Sequence, residues 1–308
     1  MVMTIHALLP VILVIAAGYL VARTGLITGD QWHGVERLTY FVLFPAFLFK
    51  TIVLMDFSKL PTLSMGATLL SAVVTMGVLL LALRPVFLRV WGITGPRFTS
   101  IFQGALRWNG FIALAVAAEV IGSNGVALIA VAMVVMIPIL NAMCVLVLSR
   151  YAGGEAPSTA KVLRDLYTNP FIVSILAGLA MNLSGLPIPA IFQSTLTILG
   201  SAALPTAIIC VGAGLDLAAL RRPGPALTSG TLIRLIGMPL MVAGFAFVFG
   251  VTGPARAATV IAASVPCAGS AYVLARQMGG DAKLMAEILT LQTVAAIVTI
   301  PLMLYLLT

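Results

Sequence analysis

The chain is a succession of runs that are apolar on every face, each about 15 to 25 residues long and set off by single basic residues or short polar breaks. A soluble α/β protein of this length needs alternating strands and helices with one polar face, whereas a run that is apolar all round has no side to turn toward water. Only 8% of the residues are charged and 61% are hydrophobic, and the mean hydropathy is +1.15. That is too little polar surface to coat a water-soluble globule of 308 residues, so the runs are read as spanning helices of an all-α membrane protein.

Ten runs are expected, near residues 5–22, 35–54, 62–83, 98–121, 125–149, 169–184, 189–213, 227–250, 255–276 and 284–307. With the N-terminus outside, twelve of the seventeen Lys and Arg residues fall in inner connections. Three (Lys50, Lys59 and Arg256) fall outside, and Arg107 and Arg234 lie within spans. The positive-inside rule therefore places both termini outside and the long connection Tyr151 to Tyr167 in the cytoplasm, as a linker or a short interfacial helix. Met1 to His6 lacks a basic segment, so the first run is expected to be a retained span.

That central connection divides the chain into residues 1–150, 151–168 and 169–308. Five spans on either side give halves of opposite orientation, the inverted-repeat plan of many secondary transporters. Leu43-Phe44-Pro45-Ala46 in span two answers Leu204-Pro205-Thr206-Ala207 in span seven. Ile137-Pro138-Ile139-Leu140 in span five likewise answers Ile300-Pro301-Leu302-Met303 in span ten.

Several function classes fall away. A net charge of +8 suggests nucleic acid, but the basic residues stand singly at span ends with no patch interleaved with aromatics. Cys144, Cys210 and Cys267 lie within spans without CxxC spacing, so neither disulfides nor a zinc site is indicated. The histidines, His6 and His33, stand far apart in the sequence, and no GxSxG motif accompanies them, which argues against a hydrolase. No cofactor is expected.

Two polar breaks carry the functional signal. Arg107-Trp108-Asn109-Gly110 interrupts span four, and Ser264-Val265-Pro266-Cys267-Ala268-Gly269-Ser270 interrupts span nine. These are the fourth spans of the two halves. In a bilayer, non-helical backbone survives only where it faces protein or a watery cavity, so paired breaks point to a ligand site.

Leu38 to Ala46, Asn169-Pro170-Phe171-Ile172 through Asn182-Leu183-Ser184-Gly185-Leu186-Pro187, Ala203-Leu204-Pro205, and Ala271 to Arg276 followed by Gly279-Gly280-Asp281 resemble the auxin efflux carrier family. The likeness covers nearly the whole chain, and the short central connection looks like the bacterial members. The resemblance implies ten transmembrane helices in two inverted five-helix repeats, with broken, crossing helices 4 and 9 in a scaffold-plus-transport arrangement. It also implies alternating-access movement of organic anions, malate-like, malonate-like or auxin-like carboxylates. A bacterial inner-membrane location and a homodimer built through scaffold helices are implied as well.

Crossed breaks suit an anion, because each exposes backbone N–H groups at a half-helix N-terminus. Asn109 adds amide donors, and Gly110 permits close approach of a ligand. The alternative for Asn109 is a hydrogen bond to a neighbouring helix. Pro266 opens span nine, while Cys267, Gly269 and Ser270 line the break; a kink without function is the alternative. Arg107, deep in span four, fits a carboxylate bidentately, or else pairs with a protein carboxylate or reaches the vestibule. Arg234 is expected to anchor span eight at the interface, and Asn141 and Gln292 to hydrogen-bond between helices. Glu119, Glu287 and Asp216 are the candidates for ion coupling, though none lies deep. The rival readings are an anion channel and a sodium-coupled organic anion symporter of the bile-acid transporter type, which uses the same crossed-break architecture.

Overall fold

The computed structural model describes residues 2–56, 61–153, 158, 160, 164, 167–217, 220 and 224–308, with side chains from residue 8 onward. Most of the Tyr151–Tyr167 connection, expected to be a linker or a short interfacial helix, lies outside the described residues, as do Lys59, Lys161, Arg221 and Arg222. The described residues are helical apart from short connections.

In chain order the helices are α1 (Val2–Thr24), α2 (Gly29–Leu38), α3 (Phe44–Val53), α4 (Thr62–Trp91), α5 (Gly95–Leu106), α6 (Gly110–Val120) and α7 (Ser123–Tyr151). They continue as α8 (Pro170–Ser184), α9 (Ala190–Ala213), α10 (Pro225–Leu232), α11 (Met238–Val248), α12 (Gly253–Ser264), α13 (Ser270–Gln277) and α14 (Ala282–Leu307). Among the described residues six stretches are long and apolar enough to cross a membrane: Thr62–Trp91, Gly95–Val120, Ser123–Tyr151, Ala190–Ala213, Pro225–Val248 and Ala282–Leu307. Leu8–Thr24 and Pro170–Ser184 are shorter apolar helices.

Helix α4 runs eight residues past the expected end of span three, to Trp91. The Arg84 guanidinium sits 4.2 Å from the centre of the Tyr151 ring and 6.0 Å from that of Phe98, which binds this extension to α7 and α5.

Two helices carry a π-helical turn, Thr39–Leu43 between α2 and α3 and Ile233–Gly237 between α10 and α11. Each turn precedes a proline at the second position of the next segment, Pro45 and Pro239. Proline lacks the N–H that would bond four residues back, and the ladder instead closes five back, from Phe44 to Thr39 and from Met238 to Ile233. The turns place Tyr40 and Arg234 facing inward.

The helices pack in two groups. In one, α1 lies on α9 and α3 on both α8 and α9. Gly18 and Gly212 make the first contact possible, because a side chain at Gly18 would run into the Ile209 backbone and one at Gly212 into that of Ile15. The Asn182 side chain closes the end of α3 by donating to the carbonyls of Val53 and Met55, each at 2.8 Å. The other group joins α4, α5, α7, α10, α11, α12 and α14. Helix α6 packs on α7 and α12 of this group and on α1 and α9 of the first.

Candidate functional site

Helix α5 ends at Leu106 and its chain resumes as helix at Gly110; α12 ends at Ser264 and resumes at Ser270. Both stops have the same backbone form. Arg107 leaves α5 at φ −67°, ψ 149°, and Val265 leaves α12 at φ −72°, ψ 151°. At Val265 the cause is local, since a residue before proline is driven out of the helical region. No proline acts at Arg107, and the restart at Asn109 ends the break instead.

Asn109 is the N-cap of α6. Its side-chain oxygen accepts from the N–H groups of Phe111 at 3.1 Å and Ile112 at 3.2 Å. The expectation that the first N–H groups of this half-helix lie open to an anion is therefore corrected: two are taken by the cap. The Asn109 amide nitrogen, by contrast, has no hydrogen-bond partner among the described residues. The backbone N–H of Asn109 donates to the Pro266 carbonyl at 2.7 Å, so the two breaks touch.

Two buried side chains tie the crossing together. Arg234 is 0% exposed. Its Nε donates to the Val265 carbonyl at 2.7 Å, one terminal nitrogen to Ala262 at 2.6 Å and the other to Leu106 at 3.4 Å. The expectation of an interfacial anchor is thus overturned: the π-helical turn aims Arg234 into the protein, where backbone carbonyls released by both breaks satisfy it. Gln292 on α14 accepts from the Cys267 N–H at 2.8 Å and donates to the carbonyls of Gly104 at 2.9 Å and Gly230 at 3.1 Å.

Arg107 is half-buried and pairs with an amide instead of a carboxylate, one terminal nitrogen donating to Asn141 Oδ1 at 2.5 Å. Its other terminal nitrogen is buried and has no partner among the described residues. Gln103, one turn earlier on α5, is fully buried, and neither atom of its amide has a partner there. Sequence reasoning passed over Gln103; a polar residue four positions before an intramembrane arginine was the available signal. Tyr40, Cys144 and Cys267 lie within electrostatic reach of Arg107.

Pro266 and Cys267 are buried at the contact, Gly110 is half-buried against Met133, and Gly269 and Ser270 are exposed at the start of α13. Beside the restart of α6, the Phe111 ring lies 4.6 Å from Phe44 and 5.8 Å from Phe171, centre to centre, which joins the two packing groups. None of the three carboxylates lies within either break. Glu119 is exposed near the end of α6, about 13 Å along the axis from Gly110. Asp216 is exposed beyond the end of α9, its N–H donating to Thr290 Oγ1 at 3.3 Å. Glu287 is half-buried on α14, more than a turn before Gln292.

Residues 3–304 match the family model described as membrane transport protein, the model of the auxin efflux carriers. The chain belongs to that family. It is also 27% identical over 300 residues to a protein of Methanothermobacter thermautotrophicus named an uncharacterized transporter, with 96% of each chain covered. This auxin efflux carrier family member is accordingly a multi-pass membrane transport protein.

Proposed function

We propose that the protein is a secondary transporter that moves carboxylate-bearing organic anions across the cell membrane by alternating access. Ten spans form two inverted repeats, residues 1–150 and 169–308, with both termini outside. The group containing α1, α3, α8 and α9 is the scaffold, and the group around α5, α7, α12 and α14 is the part that moves.

One observation carries this reading. Next to the contact between the two breaks, a guanidinium nitrogen of Arg107 and both amide atoms of Gln103 are buried and lack partners among the described residues. Unpaired polar atoms at such depth are costly, and a carboxylate arriving from the Arg107 side satisfies the free guanidinium arm and the amide donor together. Asn109 adds an amide donor at the N-terminus of α6, whose dipole favours the same charge. The matching backbone form of Arg107 and Val265 supports two equivalent halves.

The test is purified protein in liposomes, offered radiolabelled malate, malonate and indole-3-acetate. Saturable uptake with counterflow is the expected result. Flux that rises linearly with concentration and shows no counterflow overturns the carrier in favour of a channel.

A further inference from the structure

The carbonyl ends of the two broken half-helices converge on one side chain. Each helix C-terminus carries the equivalent of about half a negative charge, so the ends of α5 and α12 together present about one. Leu106, at the end of α5, and Ala262 and Val265, at the end of α12, all turn their carbonyls to Arg234. In transporters with broken helices, such carbonyl ends are the place where a coupling sodium ion is coordinated. Here that negative potential is met by a guanidinium belonging to the chain, and its donors occupy the oxygens that a metal ion would need.

The surroundings reinforce the point. Arg107 adds a second positive charge within reach of Cys267, which also lies within reach of Arg234. Among the described residues no group of three or more His, Cys, Asp or Glu is placed to hold a metal ion. Glu119 and Asp216 are exposed and Glu287 is half-buried, whereas Arg234 is fully buried.

We propose that Arg234 is a tethered cation standing in the place of a coupling metal ion, so that the organic anion is carried without sodium. Arg234 acts through the two helix ends and does not touch substrate; it is a positioning residue that keeps the breaks in register while the site changes sides. The proposal rests on the carrier reading given under the proposed function.

The experiment measures initial uptake of the best-transported of the three carboxylates in the same liposomes, at clamped membrane potential. Replacing sodium by N-methyl-D-glucamine is expected to change the wild-type rate less than twofold. A fall of tenfold or more in an otherwise saturable flux overturns the tethered cation and leaves the carrier intact. Absence of saturable, counterflow-competent flux for any carboxylate overturns both.

Arg234→Ala leaves a guanidinium-sized gap with the carbonyls intact. Its uptake is expected to fall at least tenfold and to rise at least fivefold on adding millimolar guanidinium, with the neutral isostere urea without effect. A folded Arg234→Ala protein, monodisperse by size exclusion, that responds equally to both additives or to neither overturns the proposal. Should Arg234→Ala not fold, Arg234→Lys decides: it keeps the charge and is expected to remain sodium-independent, and a sodium requirement in that variant overturns the assignment.

Discussion

The backbone N–H of Asn109 donates to the carbonyl of Pro266 at 2.7 Å across the point where the two interrupted helices meet. The bond joins the restart of one broken helix to the opening of the other. Asn109 thereby combines three features: its backbone binds the second break, its side-chain oxygen caps α6, and its amide nitrogen has no hydrogen-bond partner among the described residues.

Replacement of Asn109 separates cap from donor. Asn109→Ala removes the cap, at about 1 kcal/mol of stability, and the donor as well. Asn109→Asp keeps a capping oxygen but loses the donor and adds negative charge. The aspartate variant is expected to melt close to wild type in detergent yet bind carboxylate at least about tenfold more weakly, as loss of a hydrogen bond to a charged group predicts. Thermal unfolding and direct binding on the same preparations check this; unchanged affinity in both variants removes Asn109 from the site.

Gln292 makes three hydrogen bonds at a fully buried position. Gln292→Leu strands the Cys267 N–H and the carbonyls of Gly104 and Gly230, and is expected to lower stability by about 3 kcal/mol. Gln292→Glu retains the acceptor for Cys267 but faces two carbonyls without a donor, so it is expected to be destabilised as well. Denaturation midpoints in detergent for the two variants measure the tie directly.

Close packing of α1 on α9 gives a prediction independent of transport. Gly212→Ala puts a methyl group into the Ile15 backbone, which overpacks the contact by roughly 2 kcal/mol or more. Gly244, also within a helix, has open space around it, and Gly244→Ala is expected to be neutral or slightly stabilising. Comparing the yields and melting temperatures of the two variants tests whether the contact is as tight as described.

The helices and both breaks were legible because lipid leaves few choices: long apolar runs must be helical, and Asn109-Gly110 and Val265-Pro266 are poor continuations of a helix. Gln292 and Asn141 were also readable as hydrogen-bonding residues within spans, and each has such partners. Arg234 was not legible. Counted along a regular helix it sits near the inner end of span eight, and its direction is set by a π-helical turn that shifts the register ahead of Pro239. Gln103 was hidden for a different reason, since a lone glutamine in a span gives no sign of whether its amide will be paired. Its state depends on what Arg107, Cys267 and Asn141 do in space.

Gln103 offers the sharpest separation of stability from function. A buried amide without a partner lowers stability, and replacing it by an apolar side chain of similar size removes that cost. Gln103→Leu is therefore expected to raise the melting temperature or leave it unchanged. If the amide and the free arm of Arg107 hold the carboxylate together, the same change weakens substrate binding about tenfold, and Arg107→Lys, which loses the planar fork, raises KM by a similar factor. The combined variant is then expected to fall short of the product of the two effects, because either change alone breaks the shared contact. Melting curves and uptake kinetics on the single and double variants supply the cycle; a Gln103→Leu protein with stability gained and KM unaltered shows that the amide lies outside the binding site.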